Sequence, residues 1–378
     1  MTIYLSDSGR PGKQTTASRI IRTGDAHGAF ISPFETPLVS QERRASASDV
    51  AKAVQDAGGR VILDPTSHGY LLDADNLARY SSWNLWPIPG RSREALSAHV
   101  ERVADLAARI GVDALLSPTV VLDRATGEAI ETALHLAELT AQFSDTALLA
   151  VVGSTGFWSS DIELDEFVGQ LSQYADNGWA LSVIRTSGSQ PVTVEPSCVA
   201  GVARTTFSVA GRGEVILCHS DLLGLPAIAA GASAIGTGRD AKQRYATREP
   251  FFVSDPQIRI PGERITFRGL LAPLKRAEAE VLERDAGDLC SELCPGSVPL
   301  GQSEQTSHHL RVLSGLIDDL AKWDRGADRS RELERIYDAA ESNFALVEGH
   351  VAVDRGFDDW GAGLRSGLRL FMDQEGWV

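Results

Sequence analysis

The sequence predicts an α/β fold: a (β/α) barrel of seven or eight parallel strands with a helical C-terminal extension. Three observations predict it. Short apolar runs bounded by turn residues recur through the first two-thirds of the chain, as parallel strands buried on both faces require. Helical patterns separate those runs, which is the alternation of βα units. Neither a GxGxxG after a first strand nor a GxxxxGK[ST] loop is present, so the open nucleotide-binding sheets lose their signature and the TIM-like barrel is preferred.

The strands are expected at Ala29–Ser32, Val61–Asp64, Ala114–Ser117, Leu148–Val152, Leu181–Arg185, Val215–His219 and Ser233–Thr237. An eighth is supplied either by Ile3–Ser6 or by Phe251–Ser254, between which the local pattern does not choose. Between them, Ala47–Ala57 opens after Ser46 and Ser48 as cap candidates, and Arg93–Ile110 repeats apolar residues at three- and four-residue spacing before Gly111. Gly127–Phe143, Ile162–Asp176, Cys198–Val209 and Leu222–Ala230 read as helices in the same way. Pro256, Pro261 and Gly262 mark a change of pattern, which divides the chain into a barrel over 1–255 and a helical region over 256–378. There the helices are expected at Leu274–Leu293, Ser307–Trp323, Asp328–Glu348 and Trp360–Met372.

At 378 residues the chain is long enough for one large barrel plus an appendage. Composition is that of a globular protein, 43% hydrophobic with a mean hydropathy of -0.10, and no stretch approaches the ~18 consecutive apolar residues of a membrane span. The first residues lack the apolar run of a secretory signal, so a cytoplasmic protein with no membrane partner is expected. Its four cysteines, Cys198, Cys218, Cys290 and Cys294, are too few to staple the fold. A net charge of -15 repels phosphate backbones, which disfavours nucleic acid as a general partner and favours a small molecule or nucleobase. The helical C-terminal region is the natural place for a protein partner or a second copy to dock.

In such barrels the chemistry sits just past the C-terminal ends of the strands. Reading off polar residues there gives Asp64 and His68 after the second apolar run, Ser117 and Thr119 after the third, and Arg185 at the end of the fifth. His219 and Asp221 follow the sixth; Gly236, Gly238, Arg239 and Asp240 follow the seventh. Asp64, His68, His219, Asp221 and Asp240 are therefore the acid–base candidates. Ser117, Arg185, Gly236, Gly238 and Arg239 are the substrate-binding candidates, the glycines as a backbone cradle for an anion. Structural duties compete with these roles: Asp64 before Pro65 also suits a turn, and Asp221 also suits an N-cap for the helix at Leu222.

Lysine occurs only at Lys13, Lys52, Lys242, Lys275 and Lys322, which argues against a Schiff-base aldolase. No cofactor motif is present. Zinc has one candidate set, Cys290 and Cys294 with His308 or His309, although a Cys spacing of four on a helix is usual in core packing and matches no standard zinc module.

Two stretches are similar to the tRNA-guanine transglycosylases, TIM barrels that exchange a guanine base for a deazaguanine. One is Ala29-Phe30-Ile31-Ser32-Pro33 followed, after a helix and Gly58-Gly59, by Val61-Ile62-Leu63-Asp64-Pro65-Thr66-Ser67-His68-Gly69-Tyr70-Leu71. The other runs from His219 to Gly236. The resemblance implies a barrel acting on a nucleobase, a nucleoside or an N-glycosidic bond. It departs in three places: Leu116-Ser117-Pro118-Thr119 stands where the family has an Asp-Ser-Gly-Gly base-recognition segment, and Gly236 falls at the nucleophilic aspartate, with Asp240 four residues on. The family's zinc motif is reduced to Cys290, Cys294 and His308 or His309. These departures equally suit a non-catalytic barrel that binds a ligand or a partner. A phosphate-binding isomerase or lyase using the Gly236–Arg239 loop is the third reading.

Overall fold

The computed structural model describes residues 1–6, 16–33, 36–71, 83–85, 92–174, 177–186, 192–238, 243–248, 264–294, 298–299, 301–354 and 356–377. Eight parallel strands close a ring. In order round it are β1 (Thr2–Ser6), β2 (Gly28–Ile31), β3 (Arg60–Leu63), β4 (Ala114–Leu116), β6 (Ala147–Gly153), β7 (Gly178–Val183), β8 (Glu214–Leu217) and β9 (Ala234–Gly238), and β9 pairs back onto β1. A two-residue strand, β5 (Val121–Leu122), lies against the C-terminal end of β6 outside the ring. The eighth strand is thus the N-terminal segment, held between β2 and β9 with Tyr4 opposite both Gly28 and Gly236. The competing segment Phe251–Ser254 lies outside the described residues, as do Arg239 and Asp240.

Helices α1 (Thr16–Arg22), α2 (Ala47–Gln55), α3 (Arg93–Ile110), α4 (Glu128–Phe143), the short α5 (Thr155–Trp158), α6 (Asp161–Leu171), α7 (Pro196–Val209) and α8 (Leu225–Ala230) follow in turn. Their starts are chemically marked. Ser46 and Asp49 form a reciprocal capping box on α2, and Ser92 caps α3, which Gly111 ends in the left-handed region at φ 80. Helix α8 is shorter than its pattern suggested, because Asp221–Gly224 forms a separate 3-10 turn before Pro226.

Two buried layers result from the alternation of side chains along each strand. Tyr4, Phe30, Ile62, Leu116, Leu148, Ile216 and Cys218 point inward and fill the barrel axis. Ile3, Leu5, Ile31, Leu63, Leu149, Leu181 and Leu217 point outward beneath the helices. At the N-terminal end Arg60 Nη1 meets Glu214 Oε2 at 2.6 Å and the Tyr4 hydroxyl at 3.4 Å, so an ion pair plugs the base. The open end of the barrel is therefore its C-terminal mouth.

The C-terminal region does not begin as helix. It opens with an antiparallel hairpin, β10 (Arg264–Phe267) and β11 (Ala272–Lys275), turning through Leu271 at φ 51. The helices α9 (Arg276–Asp285), α10 (Gly287–Leu293), α11 (Gln302–Ala321), α12 (Ala327–Glu348) and α13 (Gly356–Gln374) follow. Their apolar faces join the barrel's outer layer: α13 packs on α7, while α11 and α12 pack on α8. The α13–α7 contact is close because Gly367 faces Val199 and the Pro196 carbonyl, where a Cβ would come within 2.5 Å and 2.7 Å.

The tightest approach between neighbouring barrel helices is at Gly201 of α7, where an added Cβ would lie 1.8 Å from the Trp158 carbonyl oxygen. Backbone, unlike a flexible side chain, cannot swing aside. Gly201→Ala is expected to destabilise the protein by about 1–3 kcal/mol through overpacking, read as a lower urea midpoint with an unchanged m-value; an unshifted midpoint would show that α5 and α7 slide apart freely.

Candidate functional site

The mouth of the barrel holds a cavity of about 150 Å³. Its floor is the top of the inner layer, with Phe30, Leu116, Ala150, Ala180 and Cys218. Hydroxyls ring the walls, from Ser6, Ser32, Thr66, Ser117, Thr119 and Ser182. One side carries Asp64, His68 and His219, and the segment 243–248 roofs the opening with Gln243, Tyr245 and Thr247. An apolar floor with a few convergent polar groups is the usual form of a small-molecule site.

Asp64 is the residue after β3, where the chain turns away through Pro65. Its Oδ1 accepts the Thr66 amide at 2.8 Å, and its Oδ2 lies 3.8 Å from His219 Nε2. Burial pushes the carboxyl up, but the His219 imidazole, the His68 imidazole (charged only in the acid range where Asp64 itself titrates) and the Thr66 amide outweigh it, so Asp64 is held below the usual carboxylate range and stays ionised. His219 follows β8 by two residues. Its Nδ1 faces the Gln243 carbonyl at 3.1 Å and Ser6 Oγ at 3.3 Å, and its ring stacks on Phe30 with centroids 6.0 Å apart. A carbonyl can only accept, so Nδ1 carries a proton, and Nε2 is left facing Asp64. A second proton, on Nε2, completes an ion pair with that carboxylate; without it two lone pairs oppose each other.

Two residues here hold left-handed backbone without being glycine: Thr66 at φ 54 and His219 at φ 48. For a β-branched threonine this is a costly conformation, of the order of 1–3 kcal/mol. The strain aims neighbouring side chains into the mouth.

Burial pulls His68 down from 6.5 to about 4, against the attraction of Asp64 and with the repulsion of His219. Below it Ser67 Oγ meets His99 Nε2 at 2.9 Å, and burial, aided by Arg102, brings His99 down to about 3. Both imidazoles are thus neutral in the fold, while the unfolded chain binds protons near 6.5. Because the unfolded state holds more protons in that window, stability falls as the pH drops from about 6.5 towards 4 and, for His99, towards 3. Urea midpoints measured across this range are expected to decline with acid and to decline less steeply in His99→Gln; identical slopes would refute a neutral buried His99.

Of the residues singled out from the sequence, Asp64, His68, Ser117 and His219 meet in this one cavity. Ser117 is committed to the backbone, its Oγ accepting from the Ala150 amide at 2.9 Å. Asp221 does not reach the cavity. At φ 51 its carboxylate is turned outward and buried, Oδ1 receiving the Leu222 amide at 2.7 Å and lying 3.2 Å from His309 Nε2, and Oδ2 lying 3.5 Å from Arg244 Nε. Nor is it a conventional N-cap, since the amide it holds is that of the very next residue. Arg185 lines a separate small pocket behind β7, donates to the Thr193 carbonyl at 2.8 Å, and anchors segment 243–248 through its backbone to Ala246 and Arg248.

Gly236 and Gly238 are points of close approach. A Cβ on Gly236 would lie 3.0 Å from the His219 amide and 3.0 Å from the Phe30 ring, and one on Gly238 would lie 2.4 Å from the Gln243 carbonyl carbon. The sequence reading missed Ser6, Phe30, Gln243 and Tyr245. Ser6 had a signal, as the polar residue ending the Ile3–Ser6 run; segment 243–248 has no periodicity to mark it.

Cys294 Sγ lies 3.2 Å from His308 Nε2, and both approach the Thr266 carbonyl, at 3.7 Å and 2.9 Å. Among the described residues no three His, Cys, Asp or Glu side chains gather to hold a metal ion. His309 is turned to Asp221 instead, so among the described residues Cys290, Cys294, His308 and His309 do not converge on one point. No helix among the described residues is long and apolar enough to cross a membrane.

No family model matches the chain, and no curated protein matches it. Solved structures similar to it include DHDPS from Cyanidioschyzon merolae, 12% identical over 100% of this chain and 98% of that one, with a TM-score of 0.37. A xylanase from Cellvibrio japonicus is 10% identical over 62% of this chain and 85% of its own, with a TM-score of 0.39. D-allulose 3-epimerase from Methylomonas sp. is 12% identical over 62% of this chain and 83% of its own, with a TM-score of 0.34. At such scores these likenesses add nothing to the closed ring of strands already described.

Proposed function

We propose that the barrel is an acid–base enzyme acting on an N-glycosidic bond of a nucleoside or modified base, with Asp64 and His219 as its catalytic pair. The observation that supports this reading is the juxtaposition of Asp64 and His219 in one cavity at the C-terminal mouth, 3.8 Å apart. Cleaving such a bond requires a proton for the departing ring nitrogen and an anion for the positive charge that develops on the sugar carbon. In this reading His219 Nε2 donates the proton and the ionised Asp64 faces the sugar. Phe30 and Tyr245 supply aromatic surface for a flat ring, and the hydroxyl ring meets its polar edges. The resemblance of the Ala29–Pro33 and Val61–Leu71 stretches to the tRNA-guanine transglycosylases supports the same chemistry.

A second reading is favoured by one specific observation: Asp64 is the one carboxylate among the described lining residues, whereas glycosidic chemistry commonly uses a pair. In that reading the same dyad moves a proton between adjacent carbons of a small hydroxylated carbonyl compound, as an isomerase or lyase.

The test is incubation of purified protein with isotopically labelled nucleobases and unlabelled nucleosides or tRNA, and separately with small sugars and hydroxy acids in heavy water. Label entering the nucleoside, in wild type and not in Asp64→Asn, is the expected result. Deuterium wash-in to a sugar with no base exchange would replace the first reading by the second. Saturable binding with neither reaction would leave a non-catalytic ligand-binding barrel.

A further inference from the structure

The roof of the cavity is tied to the C-terminal region through a buried charged chain, and this connection ends on the catalytic-pair histidine. Gln243 offers His219 the carbonyl that dictates where its proton sits. That carbonyl is fixed from two sides. Beneath it, Gly238 admits the Gln243 backbone so closely that any Cβ would overlap it. Beyond it, the next residue, Arg244, has its side chain 12% exposed and its Nε 3.5 Å from Asp221 Oδ2.

Asp221 itself is 1% exposed. A buried carboxylate with one backbone donor needs a cation beside it, and removing that cation would leave an uncompensated charge. Arg244 meets that need, which holds its stretch of chain against the end of β8. The opposite oxygen is held by the C-terminal region. His309 of α11 presents Nε2 at 3.2 Å, and its Nδ1 pairs with Thr266 Oγ1 of β10 at 2.9 Å. An ionised Asp221 only accepts, so the His309 proton is on Nε2 and the Thr266 hydroxyl donates to Nδ1. The order of contact is therefore β10 and α11, Asp221, Arg244, the Gln243 carbonyl, His219, Asp64.

We infer that Arg244 and Asp221, braced by His309 of the C-terminal region, are positioning residues that hold the Gln243 carbonyl on His219 Nδ1 and so keep Nε2 as the nitrogen that exchanges protons in the cavity. None of Asp221, Arg244 and His309 lines the cavity, so none of them touches a substrate there. The assignment rests on the proposed reading only in taking His219 as the acid–base group. It assigns the C-terminal region a role in the site, as the support for one backbone carbonyl.

The experiment is nitrogen NMR on ligand-free, full-length protein carrying ¹⁵N-histidine, which reports which ring nitrogen of His219 is protonated. His219→Gln identifies the signal. In wild type the Nδ1 resonance is expected at the protonated, pyrrole-type position. In Arg244→Met it is expected to move towards the unprotonated, pyridine-type position, because Nδ1 loses the carbonyl that holds its proton while Nε2 keeps its own against Asp64, and Arg244→Lys is expected to restore it at least in part. Should Arg244→Met fail to fold, the paired Asp221→Leu/Arg244→Met variant removes both charges without leaving one buried and unpaired, and the same shift is expected there. Arg204→Met, which breaks a contact with Asp161 and Asp165 remote from the cavity, is expected to leave the signal unmoved. A wild-type Nδ1 without its proton, or an unchanged signal in folded protein lacking both Asp221 and Arg244 charges, overturns the inference. Because no substrate enters this measurement, a failure to find base exchange would sink the proposed reaction and leave the positioning intact.

Discussion

Replacing Asp64 by asparagine is expected to lower turnover of the protein's substrate at least ~100-fold while leaving the fold in place, the loss typical of a missing acid–base group. The substitution keeps size and shape. The amide oxygen can still accept from the Thr66 N–H, a bond made at 2.8 Å by Oδ1 of the aspartate, which turns the new NH₂ towards His219 Nε2. That NH₂ donates to Nε2 and so traps it without a proton, whereas the carboxylate holds a proton there. The negative charge that faces the cavity is lost at the same time. The effect should fall on kcat rather than on KM alone, because the charge matters most when positive charge develops in the transition state. Single-turnover rates on the substrate identified by the labelling experiment would measure it, with urea unfolding as the control for the fold. An unchanged rate in folded Asp64→Asn protein would remove Asp64 from the chemistry and the proposed mechanism with it.

The largest effect on stability is expected at Arg329, a residue with no part in the cavity. It is 9% exposed, yet it is a full charge inside the seam between the barrel and the C-terminal helices. Its Nε donates to the Leu320 carbonyl at 2.9 Å and to that of Trp323 at 3.3 Å; Nη2 donates to Trp323 at 2.9 Å and Nη1 to Ile228 of α8 at 3.1 Å. Leu320 lies in the last turn of α11, so the guanidinium sits at the negative end of that helix, where the final carbonyls have no i+4 amide within the helix to accept from. Arg329→Ala removes these charge-assisted bonds together and is expected to cost about 3 kcal/mol or more. Arg329→Lys should recover only part, since one ammonium lacks the planar fork that reaches the Leu320 and Trp323 carbonyls at the end of α11 and the Ile228 carbonyl of α8 together. Urea unfolding followed by tryptophan fluorescence would read both. A cost under about 1 kcal/mol would mean that water replaces the guanidinium and the seam is open.

What was legible in the chain follows from which features are local. The inner strands are fully buried, so each shows itself as an apolar run, and the long helices α3, α4, α11 and α12 carry the periodicity of one buried face. Asp64, His68, Ser117 and His219 were legible for the same reason: the end of an apolar run marks the mouth of a barrel, and polar residues just past it are placed there by the strand itself.

The remainder depended on partners distant in sequence. Ile3–Ser6 has the pattern of a strand but only its pairing to Gly28 and Ala234–Gly238 makes it the one that closes the ring. Asp221 shares a strand end with His219, yet one left-handed residue reverses its direction and sends it to His309, 88 positions along the numbering from 221 to 309. The segment 243–248 became the roof because Gly238 lets it approach and Arg185 and Asp221 hold it, none of which leaves a mark in its own sequence. By itself, then, the amino-acid order determined which stretches are buried and with what period, and hence the class of fold and the end of it that carries polar groups. Tertiary structure alone decided which of those groups face one another, because side-chain direction past a strand end is set by single backbone dihedrals and by packing against residues hundreds of ångströms of contour away.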